Sequence, residues 1–191
     1  MSDSIAETKL IEQACQGNEA AFLVLYERHR GCIFRFAFRM LGSIELAEDI
    51  THDCFLSLLR KPQLYDPTRA SLGTYLCAAA RNLAHKQLRR MGREAAIDET
   101  QGEQETEPQP SVLARILAGE LAEKVQLAVA SLPSLQREAI ILFEYEELSL
   151  ADIAVVAQTD VGTIKSRLHR ARHRLRRLLE PDVESRHKDI A

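Results

Sequence analysis

Between Thr163 and Arg172 the chain places Thr163, Lys165, Ser166, Arg167, His169, Arg170 and Arg172 on one short stretch that contains no acidic residue. Arginine and lysine donate to guanine O6 and N7, and serine and threonine donate to bases or phosphates. The chemistry on offer is recognition of DNA rather than catalysis. Lys165 and Arg170 are five residues apart, so on a helix they project about 140° from each other. A helix lying in a groove touches bases and both phosphate walls, so that spread is compatible with binding. His169 and His173 have the i,i+4 spacing of metal ligands, but the arginines crowded around them repel a cation, and no metal site is assigned.

A basic helix alone is equally consistent with a solvated face or with a contact to an acidic protein. Its setting separates these readings. Ser149 can cap a short helix carrying Leu150, Ile153 and Ala154, Gln158-Thr159-Asp160 reads as a tight turn, and a helix with Ile164, Leu168, Ala171, Leu175 and Leu178 on one side follows. Helix, turn and basic second helix in that order form a helix-turn-helix, whose second helix enters the major groove. Backbone N–H groups near Asp160 to Thr163 can also hold a phosphate.

The rest of the chain is patterned for helices. A first helix is expected over Ile5–Gln16 and is interrupted by Gly17 and Asn18. From Glu19 the apolar residues Phe22, Leu25, Tyr26, Ile33, Phe36, Ala37 and Met40 form a stripe that Gly42 closes. Ser43 can cap the next helix, with Ile44, Ala47, Cys54, Phe55 and Leu58 on one face, and Lys61-Pro62 ends it. Tyr65-Asp66-Pro67 marks a loop, and Ser71 can cap a fourth helix to about Arg90. Residues 92–111 are acidic and nearly free of large apolar side chains, which predicts a flexible linker. Helical patterning resumes with Val112, Leu113, Ile116, Leu117 and Leu121. Pro133 suits the first turn of a further helix that carries Leu135, Ala139, Leu142 and Phe143. The expected fold class is all-α, with two small helical domains at 5–91 and 112–179.

Composition supports this division. The 191 residues are 46% hydrophobic, enough for packed cores, and only eight glycines and six prolines interrupt helices. The net charge of −3 conceals an asymmetry. Asp98, Glu99, Glu103, Glu105 and Glu107 crowd the linker, whereas Lys165 to Arg177 is purely basic, and local field decides who binds where. Cys15, Cys32, Cys54 and Cys77 form no CxxC pair and read as small buried thiols of a reducing compartment. No signal peptide opens the chain and no apolar run is long enough to span a membrane, so a cytoplasmic protein without membrane insertion is expected. No phosphate-binding glycine loop, nucleophile elbow or zinc-ligand set is present, which points away from an enzyme and from a cofactor.

The run LPSLQREAIILFEYEELSLADIAVVAQTDVGTIKSRLHRARHRLRRLL, from Leu132 to Leu179, resembles domain four of the extracytoplasmic-function (ECF) sigma factors of the sigma-70 family, and GTIKSRLHRAR is its most specific part. EAAFLVLYERHRGCIFRFAFRMLG, AEDITHDCFLSL and SLGTYLCAAARNLAHKQLRR resemble successive parts of domain two. The resemblance implies a factor that binds core RNA polymerase and directs transcription initiation at specific promoters. Glu48, Asp49 and Asp53 would meet the clamp coiled coil of the largest polymerase subunit. Tyr75, Arg81, Asn82, Lys86, Arg89 and Arg90 would serve the −10 element, with the loop Lys61 to Ala70 and Asn82 forming a pocket for an extruded base. Lys165, Ser166, His169 and Arg170 would read −35 bases, with Arg167 and Arg172 nearer phosphates. Many family members have tryptophan where Tyr75 stands, aspartate where Lys86 stands and glycine in the turn at Gln158-Thr159-Asp160. An anti-sigma protein is the regulator that the resemblance implies. The rival reading is a stand-alone dimeric helix-turn-helix repressor or activator, which has no need of AEDITHDCFLSL.

Overall fold

Four polar side chains start helices by one device. The Asn18 carboxamide oxygen accepts the Ala21 N–H, and the Ser43, Ser71 and Ser149 hydroxyls accept the N–H groups of Leu46, Thr74 and Asp152, each at 3.1 Å. Each bond satisfies a donor left without an intrahelical partner. The structure is a computed structural model that describes residues 2–98 and 120–179. It contains α1 (Ser2–Cys15), α2 (Glu19–Leu41), α3 (Ile44–Arg60), α4 (Leu72–Asp98), α5 (Glu120–Ala130), α6 (Ser134–Ile140), α7 (Leu150–Ala157) and α8 (Val161–Leu179). The described residues are otherwise turns, a 3₁₀ turn at Pro62–Leu64 and a π-helical turn at Ile141–Tyr145, which continues α6.

Helices α1 to α4 pack as one bundle around Leu25, Ile33, Phe36, Met40, Leu58 and Leu76, all at most 1% exposed. Gly42, at φ 73°, ends α2 and donates its N–H to Phe38 O, as its permissive backbone allows. Helices α5 to α8 bury Leu132, Ile141, Leu142, Ile153, Ile164 and Leu168. The two cores join, because α7 packs along α4 and the π turn lies against α2.

Several boundaries differ from the sequence reading. Helix α4 runs to Asp98 rather than Arg90, through Gly92, so the first part of the expected linker is helical. Residues 99–119, which hold the rest of the linker and the expected start of helix at Val112, lie outside the described residues. Pro133 sits at the N-cap of α6 rather than inside its first turn. Leu135 and Leu178, expected on apolar faces, are 42% and 47% exposed.

Candidate nucleic-acid interface

Helix α8 carries the basic stretch, and its start is held by Asp160. The Asp160 carboxylate accepts the Thr163 N–H at 2.8 Å and the Thr163 hydroxyl at 2.6 Å, contacts that hold its carboxyl below the usual carboxylate range. The helix N-terminus expected to receive a phosphate is therefore already occupied by a carboxylate, and the Thr163 side chain is spent on the cap. Gly162 makes this closeness possible, since a Cβ there would stand 2.9 Å from Asp160 Oδ1. The preceding turn closes without glycine because Gln158 takes the left-handed conformation, at φ 52° and ψ 47°.

Beyond the cap, Lys165, Ser166, His169 and Arg170 are exposed. His169, Arg170, His173, Arg174 and Arg177 line a shallow groove with Gln136 of α6. Like charges that repel one another in the free protein gain partners when an anionic backbone enters. Arg172 is exposed but donates to Glu144 at 2.7 Å and lies over the Phe143 ring. Arg167, expected near phosphates, turns inward and is only 15% exposed.

The reason is Glu138. This side chain is fully buried on α6, and a buried carboxylate needs cations around it. It receives Arg81 Nε at 2.9 Å and His85 Nε2 at 2.5 Å, both from α4. Arg167 Nη1 stands 3.7 Å from its second oxygen, a charge contact too long for a hydrogen bond. Arg81 also reaches Asn82 Oδ1 at 3.4 Å. A second carboxylate repeats the arrangement. Glu146, its side chain 1% exposed, receives Arg35 at 2.8 Å and Arg39 at 3.4 Å from α2. Arg137 adds a third tie, donating to Met40 O at the end of α2 and to the carbonyls of Ala130 and Leu132. The sequence reading passed over Glu138 and Glu146. Their only signal was position: Glu138 borders the apolar run 139–143, and Glu146 lies among the acidic residues that follow it.

The other expected residues fall on two surfaces. Glu48, Asp49 and Asp53 are exposed on α3. Glu48 borders a hollow with Tyr26, Arg30, Phe34 and His52, in which the Tyr26 and His52 rings stack 6.4 Å apart. Asp53 instead shares a groove between α3 and α4 with Leu56, Ser57, Arg60, Lys61 and Asn82. Lys61 and Asn82 thus line one groove, whose lining includes no other residue of the loop 61–70. Tyr75 is half-buried with its ring 5.4 Å from that of Tyr65, so it packs in the bundle wall. Lys86, Arg89 and Arg90 lie on exposed positions of α4.

Comparison with known proteins covers both halves of this surface. Residues 25–94 match the family model for sigma-70 region 2, and residues 122–175 match that for sigma-70 region 4. The chain is similar to the ECF RNA polymerase sigma factor SigW of Bacillus subtilis, 29% identical over 90% of this chain and 95% of SigW. It is also similar to the ECF RNA polymerase sigma factor BldN of Streptomyces coelicolor, 32% identical over 95% of this chain and 69% of BldN. Among solved structures, the sigma factor RpoE bound to the anti-sigma factor NepR, from Bartonella quintana, superposes with a TM-score of 0.63. That match is 27% identical and covers 85% of this chain and 96% of the other.

Proposed function

The chain belongs to the sigma-70 family, among its ECF RNA polymerase sigma factors, and from that premise we propose a division of labour along it. It binds core RNA polymerase and directs transcription initiation at specific promoters. A domain over about residues 5–91 docks on the polymerase and reads and melts the −10 element. A domain over about residues 112–179 reads the −35 element. The factor carries out no reaction of its own, needs no cofactor, and acts in the cytoplasm.

One observation carries this reading: an exposed basic helix, with its start capped by Asp160, follows a short helix and a left-handed turn, beside a bundle whose α3 presents acidic residues. Lys165, Ser166, His169 and Arg170 contact −35 bases. Arg172, released from Glu144, contacts phosphate. Thr163 serves the cap first, and Arg167 reaches DNA only after leaving Glu138. On α4, Asn82 and Lys61 frame the pocket for an extruded base, whose capture offsets the few kcal/mol of unpairing. Arg81, Lys86, Arg89 and Arg90 follow the backbone, and Tyr75 supports them from the bundle wall. Glu48, Asp49 and Asp53 face the clamp coiled coil of the largest polymerase subunit.

In this conformation Arg81 and Arg167 both hold a carboxylate where DNA would offer a phosphate. Promoter binding by Arg81 therefore requires α6 to separate from α4, whereas Arg167, in the same half as Glu138, must turn away from that carboxylate within its own half. An anti-sigma protein that stabilises the closed arrangement would keep the factor silent, and the likeness to RpoE in its NepR complex supports control of that kind. A stand-alone dimeric repressor is not favoured, because it would leave the region 2 match unexplained.

The test is a pull-down of core polymerase with the purified chain, followed by run-off transcription on fragmented genomic DNA. Stable binding and discrete new start sites are expected. Specific DNA binding with no polymerase bound, in protein freed of any co-purifying partner, would overturn the reading.

A further inference from the structure

Cys32 of α2 and Cys77 of α4 are 45 positions apart in sequence, and packing brings their sulfurs to 3.3 Å. Neither belongs to the surfaces assigned above. A disulfide needs about 2.05 Å between sulfurs, a distance within reach of small side-chain rotations if the Cβ atoms are suitably aimed. The two thiols are not equivalent. Cys77 is buried, and its contact with Cys32, together with that burial, keeps its proton on to well above the usual thiol range. Cys32 is half-buried, so a small solute meets it first. Arg35 lies one turn further along α2, paired with Glu146 at 2.8 Å. The remaining thiols are placed differently. Cys15 is exposed and bonds to Leu59 O, whereas Cys54 is sealed in the core.

We propose that Cys32 and Cys77 are a redox-active pair that a two-electron oxidant of the peroxide class converts into an intramolecular disulfide joining α2 to α4. The Cys32 thiolate attacks one peroxide oxygen, the O–O bond breaks, and the distal oxygen leaves as water after taking up a proton. Cys32 is then a sulfenic acid. The Cys77 sulfur attacks the Cys32 sulfur, the S–S bond forms and the S–O bond breaks. The departing hydroxyl leaves as a second water with the Cys77 proton. Two thiols and one peroxide become one disulfide and two waters, and the two electrons lost by sulfur reduce the peroxide. The bridge would sit one turn before Arg81 on α4, so the helix that carries the −10 candidates would be fixed to α2.

The experiment uses the full chain with Cys15→Ser, which removes the exposed thiol, alongside the unsubstituted protein. Each is treated with hydrogen peroxide, alkylated and mapped by mass spectrometry. The expected result is a monomer that has lost two thiols, a peptide linking Cys32 to Cys77, and reversal by dithiothreitol. The oxidised protein is expected to melt at a higher temperature, because the bridge restricts the unfolded chain. In Cys77→Ser, oxidation is expected to stop at a Cys32 sulfenic acid that dimedone captures. If that variant does not fold, the peptide map of the other two proteins decides. Retention of both thiols, or higher oxides at Cys32 without a crosslink, would each overturn the proposal. Since the map needs neither polymerase nor promoter, its outcome is independent of the promoter-directing role.

Discussion

The two helices assigned to DNA meet it under different conditions. On α8, Lys165, Ser166, His169 and Arg170 stand in solvent, and no movement of the other half of the molecule is needed to reach them. On α4, Arg81 and His85 are each only 14% exposed and are held on Glu138, a residue of the opposite half. A buried carboxylate and a DNA phosphate compete for the same guanidinium, because both are anions that accept charge-assisted hydrogen bonds. The proposed −35 reader is therefore available in the closed molecule, while part of the proposed −10 reader is traded against the contact between halves. Recognition and closure draw on one set of cations.

Removing the carboxylate should break this asymmetry with the largest effect. Glu138→Gln leaves Arg81, His85 and Arg167 facing a neutral amide, and losing one partner of a buried ionic cluster costs about 3–5 kcal/mol. A lower urea midpoint and a larger radius of gyration by small-angle scattering are expected. If both stay unchanged, Glu138 does not hold the halves together. On the open helix, Lys165→Ala and Arg170→Ala should each reduce discrimination among −35 sequences by about 1–3 kcal/mol while leaving polymerase capture intact. Equal losses on every DNA sequence would assign both residues to phosphates instead.

A smaller effect is expected in the turn before α8. Gln158→Gly removes the strain of a left-handed side-chain-bearing residue, worth about 1 kcal/mol, and should raise the melting temperature. A fall would mean that the glutamine side chain contributes more than its backbone conformation costs. The smallest effect concerns acid. The Thr163 contacts lower the folded pKa of Asp160 below its unfolded value, so its stabilisation is present above the ordinary carboxylate range and is lost as pH falls through the lowered folded value. Hydrogen exchange at the Thr163 amide should stay slow through the ordinary range and accelerate only in stronger acid. Early acceleration would show that the cap is weaker than its geometry implies.

What could be read from the sequence was local. Ser43, Ser71 and Ser149 cap helices as expected, because a cap involves residues only three positions apart. The stripe from Phe22 to Met40 faces the core for the same reason, since period alone sets its direction. The resemblance supplied the family, which the matches to both regions bear out. The hidden features were pairings across long separations. Arg81 and Glu138 are 57 positions apart and Cys32 and Cys77 are 45, and no helical period connects them. The inward turn of Arg167 was equally hidden, because along its own helix it is one basic residue among many. Its environment is set by a carboxylate on α6. The π turn at Ile141–Tyr145 was missed for a related reason, since its widened hydrogen bonding leaves no mark in hydrophobic spacing.

Cys54 is buried on α3 beside the groove between α3 and α4, and burial pushes its thiol up to about 12. At neutral pH it is a nucleophile with neither charge nor access, so an alkylating reagent can label it only during moments when α3 lifts from α4. The labelling rate of this one sulfur is therefore a clock for bundle opening, readable in the intact protein with polymerase or DNA bound, and it would register how far each partner slows or hastens that breathing.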